Sequence, residues 1–174
     1  MADKYPNFEA LSKEKVEGRD YRIVVEHEGR SSALVIIAPH AYKIEPGTSV
    51  LAREIAGDDY CLYLFEGILE GNNFAELHIT STNFEEPRAL EFVSQCITSV
   101  AIHGRRDEGD PSTIWLGGLN AELVTVIESR LREQGFIVSS RSHRFAATNP
   151  RNISNRTLSG RGVQIEAPRI LNRL

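Results

Sequence analysis

Only two cysteines and one methionine occur among the 174 residues, and lysine is nearly missing: four against sixteen arginines, none beyond Lys43. Two cysteines without Cys-x-x-Cys spacing exclude a disulfide scaffold and a thiolate zinc site. Cys61, within the run Tyr60–Phe65, and Cys96, near Val93, read as small buried hydrophobes. No apolar run approaches the ~20 residues of a membrane span. No basic start, apolar run and small-residue cleavage site combine into a signal peptide. The expectation is therefore no membrane partner and a cytoplasmic location on synthesis. Repeats, low-complexity stretches and linker-like segments are also lacking, so residues 1–174 are expected to form one domain. The Gly-x-Ser-x-Gly elbow and the Gly-x-x-x-x-Gly-Lys phosphate loop are absent. Gly160-Arg161-Gly162 lacks the third glycine of a dinucleotide fingerprint.

What is present is an uneven charge. The formal net charge is −4, yet residues 130–174 hold nine arginines and two acids. Arginine's planar fork matches carboxylate and phosphate groups, while a solvated basic face is the plainer explanation. Single-stranded nucleic acid requires aromatic platforms between basic residues. Beyond residue 130 only Phe136 and Phe145 are aromatic, and Phe136 reads as core. The acidic remainder of the chain would repel a polyphosphate, so no nucleic-acid partner is expected.

The elements read in alternation. The polar opening to Asp20 is expected to wrap the surface, and Tyr21–Glu26 to form an edge strand. Ser32–Pro39 is a continuous apolar run, as in a strand buried on both faces. Thr48 or Ser49 is placed to cap a helix ending near Gly57. Strands follow at Cys61–Phe65 and Glu76–Thr80, then a helix from Pro87 to about Cys96, with proline in its first turn. Ser99–Ile102 and Thr113–Leu116 are strands. Asn120–Gln134 is a helix, with Leu123, Val124, Ile127 and Leu131 on one face and Gly135 after its end. Phe136–Ser139 and Gly162–Glu166 complete the strands, separated by the irregular stretch Ser140–Arg161. The pattern predicts an α/β fold: a three-layer, open, mixed and mostly parallel sheet flanked by helices. A structureless connection of that length usually carries function.

Three ionisable residues terminate apolar runs: His40, His103 and Glu166. Ligands of open α/β sheets bind beyond the carboxyl ends of strands, so these residues can meet in space. Glu45 follows His40 by a short turn. His40, Glu45 and His103 would supply two imidazoles and a carboxylate, leaving a fourth position open, as in catalytic zinc sites. Each histidine can equally be a hydrogen-bonded structural residue, and the spacing is not that of a helical His-Glu-x-x-His motif. His78, between Leu77 and Ile79, is either a contact to the ligands or substrate or a strand-face residue outside the chemistry. His27 reads as exposed. His143 is either part of an anion site or a solvated loop residue.

These residues belong to a wider set: Tyr5-Pro6-Asn7, Pro39-His40-Ala41 with Ile44-Glu45 and Gly47-Thr48, and His78-Ile79-Thr80-Ser81-Thr82 with Phe84 and Glu86-Pro87. It continues with His103-Gly104, Gly117-Gly118-Leu119-Asn120, Arg144-Phe145, Asn152-Ile153, Asn155-Arg156, Gly160 and Gly162–Glu166. In these motifs the chain resembles the poly-γ-glutamate hydrolases of bacteriophages of bacilli over nearly its full length. The resemblance implies a zinc-carboxypeptidase-like fold, likewise an open α/β sheet, and a hydrolase cleaving γ-glutamyl amide bonds of an anionic capsule or biofilm polymer. It implies one zinc ion held by His40, Glu45 and His103, with Glu166 as the catalytic base. It also implies that Asn155 and Arg156 hold a substrate carboxylate, with Arg144 and Arg151 as competing candidates. Release by host lysis would bring such an enzyme to its polymer, and a monomer is expected. Tyr42-Lys43 stands where the family has two glycines, and Arg105-Arg106 where it often has an aromatic. Those departures keep open a zinc amidase acting on another acidic peptide or a peptidoglycan fragment. A metal-stabilised polyanion-binding module without enzymatic activity is the other alternative.

Overall fold

In the computed structural model the described residues are 3–27, 29–140 and 144–168. Among these residues seven strands form one sheet: β1 (Tyr21–Glu26), β2 (Ser31–Tyr42), β3 (Tyr60–Gly67), β4 (Thr98–Arg105), β5 (Ile114–Gly118), β6 (Val138–Ser139) and β7 (Val163–Pro168). Their spatial order is β1-β3-β2-β4-β7-β5-β6. The central strands β3, β2, β4 and β7 run parallel. β1 lies antiparallel on one edge, and β5 pairs antiparallel with β7 on the other side. This is the mixed, mostly parallel sheet that the sequence predicts. The helices are α1 (Phe8–Ser12), α2 (Thr48–Ala56), α3 (Asn73–Leu77), α4 (Pro87–Ser94) and α5 (Ala121–Glu133).

Alternation along the central strands builds two cores. Val35 and Ile37 of β2, with Tyr63 and Phe65 of β3, face a cluster completed by Phe8, Leu77, Ala89 and Val93 from α1, α3 and α4. Ile36, Ala38, Leu62 and Leu64 face the other side, against Ala52 and Ala56 of α2 and the half-buried Leu123, Val124 and Ile127 of α5. Burial of both faces explains why β2 reads as an unbroken apolar run. Cys61 and Cys96 are buried, free thiols, as expected. No helix among the described residues is long and apolar enough to cross a membrane.

Several expectations are corrected. Glu76–Thr80 is not a strand: Asn72 Oδ1 accepts the N–H of Ala75 at 3.1 Å and starts α3, which ends at Leu77. Leu77 and Ile79 are both fully buried in one cluster, so their apparent alternation came from a helix end running into an extended segment. α2 is preceded by Gly47 at φ 93°, and the Thr48 hydroxyl donates to the Glu45 carbonyl at 2.6 Å instead of capping. Phe136 is 39% exposed and is not core. The opening segment contributes buried Tyr5, Phe8 and Leu11, so it does more than wrap the surface. The described part of the stretch before β7, residues 144–161, is irregular as expected, apart from one 3-10 turn at Ile153–Asn155. His143 lies outside the described residues.

Candidate metal centre and its cleft

The carboxyl ends of β2, β4 and β7 lie side by side, and each delivers one ionisable residue. β2 delivers His40, β4 delivers His103, and Glu166 of β7 pairs in register with His103. Glu45 is brought back by a turn in which its N–H donates to the His40 carbonyl at 2.9 Å. All four are at most 8% exposed.

Hydrogen bonds fix how the rings point. His40 Nε2 lies 2.7 Å from the Ile79 carbonyl, which only accepts, so Nε2 carries a proton and, in the neutral ring, Nδ1 is the nitrogen with a lone pair to offer a metal. His103 Nε2 lies 3.4 Å from Ser81 Oγ, leaving its Nδ1 turned inward. The two Nδ1 atoms are 3.1 Å apart. Glu45 Oε1 lies 3.2 Å from His40 Nδ1, and Oε2 lies 3.5 Å from His103 Nδ1. Glu45 Oε2 also accepts the Gly104 N–H at 2.9 Å, which anchors the carboxylate.

These separations bear on whether a metal fits. Donors about 2.0–2.1 Å from a tetrahedral zinc are about 3.3 Å from one another; the Nδ1–Nδ1 separation is close to that value, and each Glu45 oxygen lies near it from a different imidazole. A second trio, His40, Glu45 and His78, also has ligand atoms within 4.8 Å of one another. His78 is the looser member. Its Nε2 is 4.0 Å from Glu45 Oε1, while its Nδ1 is held by Asp3 Oδ1 at 2.7 Å. Its ring centroid lies 4.1 Å from that of His40 with the planes tilted by 33°, and it forms a wall of the site.

The charges are coupled accordingly. Burial opposes ionisation of Glu45, but the adjacent His40 and His103 hold its carboxyl far below the usual range. Burial lowers His103, and Glu45 more than reverses this, so the imidazole ends above its ordinary value. Burial and the charge of His40 push His78 down to about 4, against the pull of Asp3 and Glu45. Burial raises the Glu166 carboxyl above its ordinary value, with His103 pulling it back.

A relay of amides orients Glu166. The Ser154 N–H and hydroxyl donate to Asn152 Oδ1, Asn152 Nδ2 donates to Gln164 Oε1, and Gln164 Nε2 donates to Glu166 Oε1 at 2.8 Å. Gln164 lies two residues before Glu166 on the same face of β7 and Asn152 sits in the preceding loop; both are buried, and nothing in their local sequence marks them for this role.

The residues open into a cleft of about 650 Å³ that includes His40, Glu45, His78, His103 and Glu166. Its cationic lining is Arg105, Arg106 and Arg144. Arg106 lies over the Phe74 ring at 5.6 Å, and Arg144 over Phe145 at 4.6 Å. Of the arginines expected to meet substrate, Arg144 is in the cleft; Arg151 and Arg156 do not line it. Arg151 is exposed, 3.7 Å from Glu85. Asn155 is committed to the scaffold. Its Nδ2 donates to the Ala147 and Asn149 carbonyls, and its Oδ1 accepts the N–H groups of Leu119 and Gly162. Tyr42 and Lys43 line a separate apolar groove between α2 and β7, on the opposite side of the sheet from His40's cleft.

The loop carrying Arg144 sits tightly on β5. A Cβ on Gly117 would lie 2.5 Å from the carbonyl oxygens of Phe145 and Ala146, so only glycine admits this approach.

The strand ends of this open α/β sheet converge two imidazole nitrogens and a carboxylate, with a second, raised carboxylate alongside, a set of groups that could hold a metal ion next to a base. Residues 5–173 match the family described as poly-gamma-glutamate hydrolase, and the chain belongs to that family. It is 41% identical over 167 residues to YoqZ, an SPbeta prophage-derived protein of Bacillus subtilis (strain 168), covering 95% of this chain and 58% of that one. It is 36% identical over 166 residues to YndL of the same strain, covering 94% and 63%. The chain thus spans less than two-thirds of either relative. A solved structure described as a bacteriophage poly-gamma-glutamate hydrolase superposes with a TM-score of 0.91 at 39% identity, covering 99% of this chain and 82% of that one. Another, described as zinc-free YndL, gives 0.88 at 32%, covering 99% and 83%.

Proposed function

We propose that this chain hydrolyses γ-glutamyl amide bonds of poly-γ-glutamate, using one zinc ion held by His40 Nδ1, His103 Nδ1 and the Glu45 carboxylate. The observation that carries the reading is the approach of these groups: the two Nδ1 atoms 3.1 Å apart, with Glu45 Oε1 3.2 Å from His40 and Oε2 3.5 Å from His103. Family membership and the TM-score of 0.91 to a phage hydrolase support it. A zinc ion supplies Lewis acidity to a scissile carbonyl and an attacking water.

The remaining work falls to side chains. Glu166, raised by burial, accepts the proton of the attacking water and delivers it to the departing nitrogen. Gln164 and Asn152 hold that carboxylate in one orientation. Ile79 and Ser81 fix the imidazoles through their outward nitrogens, as metal-binding histidines require. Arg144 and Arg106, both in the cleft, pair with the free α-carboxylates of the polymer, and Arg144's fork allows bidentate contact.

A substrate panel tests the reading. Zinc-loaded protein should shorten poly-γ-glutamate, and leave α-linked polyglutamate and peptidoglycan fragments intact, when products are sized. Cleavage of peptidoglycan fragments alone would move the chemistry to another amide.

A further inference from the structure

One wall of the cleft takes no part in the proton transfers. Beyond His103, β4 runs into a loop at residues 106–113 that is organised by buried Arg105. Its guanidinium donates to the carbonyls of Arg106, Asp107, Asp110 and Thr113 at 3.1, 3.3, 2.5 and 2.7 Å. Asp110 Oδ1 also accepts the N–H of Thr113 at 3.0 Å, and the Asp110 N–H donates to the Asp107 carbonyl at 2.6 Å. The loop is thus closed around a fixed cation. At its tip Glu108 adopts φ 41°, in the left-handed region that side-chain-bearing residues rarely occupy. Its carboxylate reaches Arg144, with Oε2 2.6 Å from Nη2. Glu108 and Arg144 line the same cleft as His40, Glu45 and His103, and they come from loops far apart in sequence.

We propose that Glu108 is a specificity-determining residue: its carboxylate occupies, at rest, the arginine that a substrate carboxylate takes on binding. The inference rests on the hydrolase reading above and deepens it. Ligand entry then becomes an exchange of one carboxylate for another at Arg144. The pair suits exchange, because the Arg144 and Glu108 side chains remain 60% and 50% exposed and an exposed ion pair is weakly held. Stacking on Phe145 keeps the guanidinium in place while its partner changes. A neutral ligand gains nothing from the exchange. A single carboxylate replaces what it displaces and gains little. A chain bearing successive carboxylates also engages Arg106, which has no ion-pair partner among the described residues, so the device favours polyanions over small acids.

The test compares wild type, Glu108→Gln, Arg144→Gln and the double variant as zinc-loaded full chains. Glu108→Gln should lower KM for poly-γ-glutamate by about two- to fivefold with little change in kcat. Arg144→Gln should raise KM, and adding Glu108→Gln to it should then change KM little. An unchanged KM in Glu108→Gln, or an equal fall in the Arg144→Gln background, would overturn the proposal; the latter would indicate general charge repulsion. A second readout needs no turnover: labelling of Arg144 by phenylglyoxal without substrate, followed by peptide mass mapping. Removing the competing carboxylate should speed that labelling several-fold, and an unchanged rate overturns the resting contact. If no form cleaves the polymer yet labelling accelerates, the substrate reading fails and the Glu108–Arg144 contact stands.

Discussion

His40 and His103 face each other across paired strands with their Nδ1 atoms 3.1 Å apart. Two imidazole nitrogens at that distance share a proton or share a cation. The Ile79 carbonyl fixes the proton of His40 on Nε2, and Glu45 brings carboxylate oxygens to 3.2 and 3.5 Å from the pair. The arrangement has the spacing of a metal's donor set.

The two possible trios differ in one histidine, and removing each in turn separates them. His103→Ala should weaken zinc binding by more than about 100-fold, beyond the usual effect of losing a supporting group. His78→Ala should keep the metal within about tenfold of wild type. Competition with a chromophoric chelator reads both; the reverse order would assign the site to His78.

Glu166→Gln should preserve zinc affinity and lower kcat by about 100-fold or more, the usual scale of a lost acid–base group. Gln164→Ala, which releases the carboxylate's amide partner, should lower kcat less and leave KM close to wild type. Single-turnover rates at saturating polymer measure both, and full activity in Glu166→Gln would remove it from the chemistry.

Asn155→Ala is expected to act on stability. It removes four hydrogen bonds from a buried amide that ties Leu119, Ala147, Asn149 and Gly162 together. At about 0.5–1.5 kcal/mol each, with some partners left unsatisfied, the loss is a few kcal/mol. Denaturant unfolding should show it. An unchanged midpoint with a raised KM would instead mark a substrate contact.

Tyr42 occupies φ 60°, a strained position for a residue with a side chain. Tyr42→Gly should relieve roughly 1 kcal/mol of that strain, partly offset by loss of the Arg22 contact over the ring. Because Tyr42 lines the apolar groove instead of the cleft, KM for the polymer should be unaffected. A changed KM would mean that this side of the sheet also meets substrate.

The sheet was legible in the sequence because β2 is buried on both faces and shows as an unbroken apolar run. The strand-end residues His40, His103 and Glu166 followed from where such runs stop. The α3 segment was not legible: Leu77 and Ile79 imitate strand alternation, and only the Asn72 cap marks a helix. The supporting chemistry was hidden for a different reason. Asn152, Gln164 and Asn155 are ordinary amides until the fold gives them partners. Arg106 and Glu108 read as loop charge, and only β4's placement brings them to the cleft. Nine late arginines reduce to Arg144 among the described cleft residues, joined by Arg105 and Arg106 from an earlier loop.

The most direct test of the account is poly-γ-glutamate sizing with metal-stripped protein before and after one equivalent of zinc is returned. The account predicts no shortening by the stripped protein, and restored shortening with zinc for wild type but not for His103→Ala. Undiminished cleavage without metal, or none after zinc is bound, would contradict it.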